Sequence, residues 1–210
     1  MNNIGKTRIW RMTHYRNTAF ILQNGLYCCN CGVQDPAYIN IGHKSLIENR
    51  GQSPVLQSPG GVLNDYIPFY FHYKMPMLYH IFNGIVKEYS GTQNEIIYLI
   101  SYVEKIIEMQ IPFLFTDRHA YLAHKTIYTK YEELEKLRWD IMKDDTWHKE
   151  YSDQKKELKQ SEFLIHQHLP LTGILGIVAQ NEEIATFVRK EISLADLSLQ
   201  IVVKPEYYYA

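Results

Sequence analysis

Three polar side chains able to do chemistry interrupt apolar stretches of this chain. His14 ends the run TRIWRMTH just where a helix is expected to begin, Arg50 closes a short helical segment, and Glu162 heads the apolar run FLI. A carboxylate at the head of a strand is either a solvated terminus or, beside a cleft, a group that stabilises an oxocarbenium ion or acts as a general base. The residue pattern leaves both readings open. Other chemistries find less support. Nine histidines invite a metal site, but HExxH is missing and no carboxylate–histidine pair has metal spacing, so no metal is expected. A nucleophile elbow, a GxGxxG after a strand and a GxxxxGK[ST] loop are all missing, which leaves serine-hydrolase, Rossmann and P-loop readings without an anchor.

The elements that must position these residues follow from punctuation and periodicity. Residues 7–14 read as a strand and 17–25 as a short helix, with Asn17 as its N-cap and Gly25 as its stop. A second short helix is expected near His43–Arg50, closed by Gly51. Residues 52–65, with two prolines and adjacent glycines, read as a long loop. Strands are expected at 66–73, 95–101, 111–117, 161–169, 173–179 and 197–205. A helix is expected over 76–82, begun by Pro76, another after the 95–101 strand, and a longer one over 182–192. The charged stretch 130–159 reads as a pair of solvated helices with i,i+4 pairing. Strands and helices mix without a regular βαβ rhythm, so an α+β fold is favoured over a doubly wound sheet.

Composition bounds the rest. The 210 residues are 46% apolar and 21% charged, a globular profile sized for one domain, 1–210. No run approaches a membrane span, and the N-terminal segment lacks the apolar core of a secretory signal, so a cytoplasmic protein is expected. Cys28, Cys29 and Cys31 are too close together to staple distant segments and read as reduced thiols on a loop. Net charge is −1, but residues 1–50 carry six basic side chains against two acidic ones. Such a local positive balance suits a phosphate-bearing ligand, although an ordinary solvated surface would look the same.

Five segments taken in order resemble one family, the DarT-type DNA ADP-ribosyltransferase toxins that are partnered by macrodomain antitoxins. They are THYRNTAFILQNGL, YINIGHKSLIENR, YIPFYFHYKMPMLY, FTDRHA, and SEFLI followed by LPLTGILGI. The resemblance implies an ADP-ribosyltransferase fold, a split and mostly antiparallel β core with flanking helices around an NAD-binding cleft. It implies transfer of ADP-ribose from NAD+, as co-substrate, to a base in single-stranded DNA, thymine ahead of guanine, by a monomer. It assigns Glu162 and Arg50 to catalysis, and His14, Asn17, Gly25, Leu26 and Tyr70 to NAD+. It places His119 beside DNA, with the charge of Arg118 next to it; the stretch 143–160 reads either as a loop that covers the acceptor, with Trp147, His148 and Lys149 as DNA contacts, or as a plain helix. Arg118 stands where the family often has glycine, and Met75 where serine commonly precedes PMLY. An enzyme acting on protein or RNA, or an inactive nucleic-acid-binding relative, is the alternative.

Overall fold

The computed structural model describes residues 6–150 and 152–210; residues 1–5, the start of the segment read as lacking a signal core, lie outside them. The first half of the chain runs β1 (Arg8–His14), α1 (Thr18–Asn24), β2 (Leu26–Tyr27), α2 (Lys44–Arg50), β3 (Tyr66–Tyr70), α3 (Pro76–Phe82), β4 (Ile96–Tyr102) and α4 (Val103–Glu108). The second half adds β5 (Phe113–Thr116), β6 (Ile127–Tyr128), α5 (Trp139–Met142), α6 (Asp153–Lys159), β7 (Glu162–His166), β8 (His168–Leu169), β9 (Gly176–Ala179), α7 (Glu182–Leu194) and β10 (Ile201–Val203). Among the described residues, eight strands form one sheet in the order β10-β9-β4-β1-β3-β7-β5-β6, and β2 pairs with β8 apart from it. Every pairing is antiparallel except β9 with β10, which α7 joins by a crossover, the one βαβ step in an otherwise α+β arrangement.

The sheet is divided at its centre. β1 matches β4 over seven residue pairs and β3 matches β7 over five, whereas β1 meets β3 only at Trp10 and Tyr70. Beyond that point the two strands diverge. The Pro68 carbonyl left free there accepts from the Arg11 guanidinium at 2.9 Å. This seam is where a cleft can open without breaking a ladder.

Apolar residues cover both faces. Ile9, Ile97, Leu99, Phe163 and Ile165 pack with α1 and α7, while Trp10, Met12, Ile96 and Tyr98 pack with α3 and the C-terminal tyrosines. No helix is long and apolar enough to cross a membrane among the described residues.

Three expectations are corrected. The strand expected to reach residue 73 ends at Tyr70, because the chain turns at His72, whose Nδ1 accepts from the Lys74 N–H. The stretch 130–159 is not a solvated helix pair. It holds a 3-10 segment, Tyr131–Lys136, then the four-residue α5, a turn-rich link and α6. Leu134, Leu137, Met142 and Trp147 in it are buried. Lys159 at the end of α6 is also fully buried, donating to the Met142 and Asp144 carbonyls, and burial pulls its pKa down to about 7 against the partial offset of Asp145 and Asp144. Finally, Cys28 and Cys31 form a disulfide and only Cys29 is a free thiol. A turn, closed by the Cys31 N–H on the Cys28 carbonyl, brings their Cα atoms within 5.4 Å, a local bridge that the argument about distant segments overlooked.

Candidate active site

Glu162 is the first residue of β7 and is buried, 1% exposed. It is not a solvated terminus. Arg50, the last residue of α2, lies 112 positions away in sequence, yet its Nη1 donates to both carboxylate oxygens, at 3.2 and 2.9 Å. The Ala120 N–H donates to Oε1 at 2.9 Å. Three of the roughly four acceptor sites of the carboxylate are thereby used, and the one that remains is on Oε2. Burial alone would push the pKa of Glu162 up; the Arg50 charge and the Ala120 N–H outweigh it and hold the group below its ordinary value, ionised at neutral pH.

Two hollows flank this pair: Arg50 lines one and His119, 3.6 Å from Glu162, lines the other, while the buried Glu162 lines neither. On one side is a cavity of about 360 Å³ along the seam, lined by Arg11 and Thr13 of β1, Asn17, Gly25 and Leu26 around α1, the cysteine loop, and Arg50. Its volume lies within the range of small-molecule sites. Gly25 has φ +76°, and a Cβ there would stand 2.4 Å from the Leu169 carbonyl oxygen, so a side chain at this corner is excluded. Two guanidinium nitrogens here, Arg50 Nη2 and Arg11 Nε, are buried and have no hydrogen-bond partner among the described residues. Unsatisfied charged donors at a cavity wall fit an anionic ligand such as a dinucleotide diphosphate, reached by a small side-chain adjustment.

On the other side is a groove of about 330 Å³ between α2, α6 and the turn after β5, with His119, Tyr121 and Lys156 in its wall. His119 accepts from the Tyr121 N–H through Nδ1, and burial lowers its pKa against the partial offset of Glu162. The ring is therefore neutral at pH 7, and its Nε2 carries the proton. The 3.6 Å between Nδ1 and Glu162 Oε1 is a close approach of two acceptors rather than an ion pair.

Several expected site residues lie elsewhere. Alternation along β1 aims Arg11 and Thr13 at the cavity and turns His14 to the opposite face. There the His14 ring stacks on Tyr15, its Nδ1 accepts from the Arg16 N–H, and Nε2 stands 3.7 Å from Glu95. Asn17 does line the cavity, but it makes no side-chain cap to α1. Its amide instead bridges Thr13 Oγ1 and both backbone groups of Ile39, fixing the loop that forms one wall. Tyr70 is buried, lies in register with Glu162 and does not line the cavity. Burial, and then the Glu162 charge, push its phenol well above the usual tyrosine range.

The DNA-contact expectations divide similarly. Trp147 is 1% exposed and its indole donates to the Tyr209 hydroxyl, so it is core and offers no face to a base. His148 packs on Tyr79 and Tyr209, while Lys149 is exposed. Arg118 is held by Asp117 and Glu157. Arg11, Thr13, Ala120 and Tyr121 went unnoticed in the sequence reading. A signal existed for Arg11, a charged side chain in the middle of an apolar strand; the contribution of Ala120 is a backbone N–H and leaves none.

Comparison with known proteins gives a consistent result. The family model described as "DarT: ssDNA thymidine ADP-ribosyltransferase, DarT" matches residues 10–209. A DNA ADP-ribosyl transferase of Escherichia coli O127:H6 is 34% identical over 209 residues, covering 99% of this chain and 96% of the relative. The structure of Thermus sp. 2.9 DarT in complex with ADP-ribosylated ssDNA superposes with a TM-score of 0.91 at 32% identity, covering 97% of both chains. The same Thermus protein in complex with NAD+ gives a TM-score of 0.88 at 31% identity, over 97% of this chain and 98% of the other.

Proposed function

This chain belongs to the DarT family and is an NAD+-dependent ADP-ribosyltransferase of single-stranded DNA, and from that premise we propose which of its residues carry the transfer to thymidine. The observation that supports the assignment is the buried Glu162 carboxylate, fixed by Arg50, which lines the cavity, and by the N–H of Ala120, whose neighbour His119 lines the groove. When bound, NAD+ supplies the ADP-ribosyl group, with nicotinamide as the leaving group. Arg11 and Arg50 are the residues placed to hold its diphosphate, with Gly25 leaving room beside them.

With NAD+ bound in the cavity, Glu162 would be the fixed carboxylate that stabilises, without reorganising, the positive charge built on the anomeric carbon. The free acceptor position on Oε2 is the place for the proton that leaves the attacking ring nitrogen. Arg50 keeps the carboxylate ionised until then. His119, neutral and protonated on Nε2, presents a donor on the groove side for the acceptor base. A single strand spares the cost of extracting that base from a duplex, a few kcal/mol by general estimate. The exposed Tyr121 offers a ring for stacking.

The family resemblance also supports a toxin role with a macrodomain antitoxin as partner.

Incubating the protein with NAD+ and four homopolymeric or mixed oligonucleotides, then locating added ADP-ribose by mass spectrometry, tests the assignment. Modification is expected on thymidine in single strands. Label on total protein alone, with no oligonucleotide modified, would overturn it.

A further inference from the structure

Glu162 is held from two sides, by Arg50 and by the turn that follows β5. The Arg50 side is anchored in a helix, but the turn, residues 117–124, has to be fixed by other means. Part of that is internal. Thr116 Oγ1 accepts from the Glu162 N–H at 3.2 Å and donates to the Arg118 carbonyl at 2.6 Å, while Asp117 accepts from the Thr126 N–H at 2.8 Å.

The rest comes from one residue of α6. The Glu157 carbonyl accepts from the His119 N–H at 3.1 Å. Its carboxylate Oε2 stands 3.0 Å from His124 Nε2 and 3.5 Å from Arg118 Nη1. Glu157 therefore grips the turn near both ends and at the backbone between. The helix that carries it ends three residues before Glu162, so the same short segment sets the position of the strand head and of the turn above it.

Glu157 also lines the groove. A carboxylate facing a groove for a polyanion is unfavourable unless its charge is neutralised. Here the Arg118 guanidinium offsets that charge and His124 hydrogen-bonds the same oxygen; Arg118 occupies the position where the resembling family often has glycine.

We propose that Glu157 is a positioning residue for the transfer: by clasping Arg118, His119 and His124 to α6 it fixes the Ala120 N–H and the His119 ring against Glu162. This rests on the functional reading above. Since the groups involved are partly exposed, the clasp acts on placement more than on stability.

Glu157→Gln tests it, with Arg118→Gln as a second variant that loosens only one arm. A displaced reacting group costs up to ~100-fold, so kcat for oligonucleotide modification is expected to fall by about 10- to 100-fold in Glu157→Gln, and by less in Arg118→Gln. The KM for NAD+ should stay within about twofold. The acid limb of the kcat–pH profile should move to higher pH, because Glu162 loses the Ala120 donor while Arg50 of α2, His119 of the turn and Tyr70 of β3 still face it. A Glu157→Gln protein with wild-type kcat and an unmoved acid limb would overturn the proposal. So would parallel changes in kcat, the KM for NAD+ and Tm, which mark general damage. If Glu157→Gln does not fold, the acid limb of Arg118→Gln decides. Wild-type protein that modifies no single strand defeats the functional reading instead.

Discussion

The cavity lined by Arg50 and the groove lined by His119 are linked through the one carboxylate that both residues approach, and share almost nothing else in their construction. The cavity is walled by the apolar side chains of Phe20, Ile21, Leu26 and Ile67 together with the polar ones of Arg11, Thr13, Asn17 and Arg50. Strand pairing of β2 with β8 and the three hydrogen bonds of Asn17 hold it in place. The groove is lined by charged and aromatic side chains of a turn and a seven-residue helix, held mainly by ionic and turn contacts. The difference matches what each must do. Breaking a glycosidic bond requires that water be kept from the donor, whereas a polymeric acceptor has to enter, be stacked and leave. The donor side is held by strand pairing and a buried amide, the acceptor side by partly exposed ionic contacts.

Removing the shared group should have the largest effect. Glu162→Gln preserves shape and is expected to lower kcat by about 10³-fold while the Kd for NAD+ changes little, because charge stabilisation is lost and the Arg11 contact is kept. Isothermal titration with NAD+ beside a single-turnover assay separates the two quantities. If binding failed along with turnover, Glu162 would belong to the donor wall and the comparison drawn above would break.

A smaller effect concerns pH. Glu162, His119 and His72 all have lowered pKa values, His72 to about 3 mainly through burial. The unfolded chain therefore takes up their protons first. Stability from these groups is fully present above the ordinary histidine value of 6.5 and is lost as pH falls, through the histidines first and then below the ordinary glutamate value of 4.5. Tm measured from pH 7 to pH 3 should decline throughout, and Glu162→Gln should flatten only the part below about 4.5. A variant curve that changed instead between pH 7 and 5 would show Glu162 titrating as an ordinary buried acid, outside the influence of Arg50.

The donor side was the more legible half in sequence. The stop of α1 and the start of α3 follow from Gly25, at φ +76°, and Pro76, residues whose backbone preferences act locally. Even there, His14 was preferred to Arg11 and Thr13, since family resemblance outweighed the two-residue alternation that turns His14 away from the cavity. The acceptor side was read poorly for a physical reason. Charged composition over 130–159 suggested solvated helices, but tertiary packing buries Trp147 and Lys159 and shortens the helices. The contact between Arg50 and Glu162 spans 112 residues and has no periodic signature. Resemblance pointed to both residues, and only the structure brings them together.

The central claim is that this carboxylate joins two separately built sites, and a crossed measurement of KM tests it most directly. Arg11→Gln removes a guanidinium from the cavity and Tyr121→Ala removes a ring from the groove. With losses of ~1.5–3 kcal/mol for a charged hydrogen bond and ~1–3 kcal/mol for base stacking, each KM should rise by roughly tenfold or more for its own substrate. The prediction is that Arg11→Gln raises the KM for NAD+ and leaves that for a thymidine oligonucleotide unchanged, while Tyr121→Ala does the reverse. Equal increases in both constants for either variant would contradict the account.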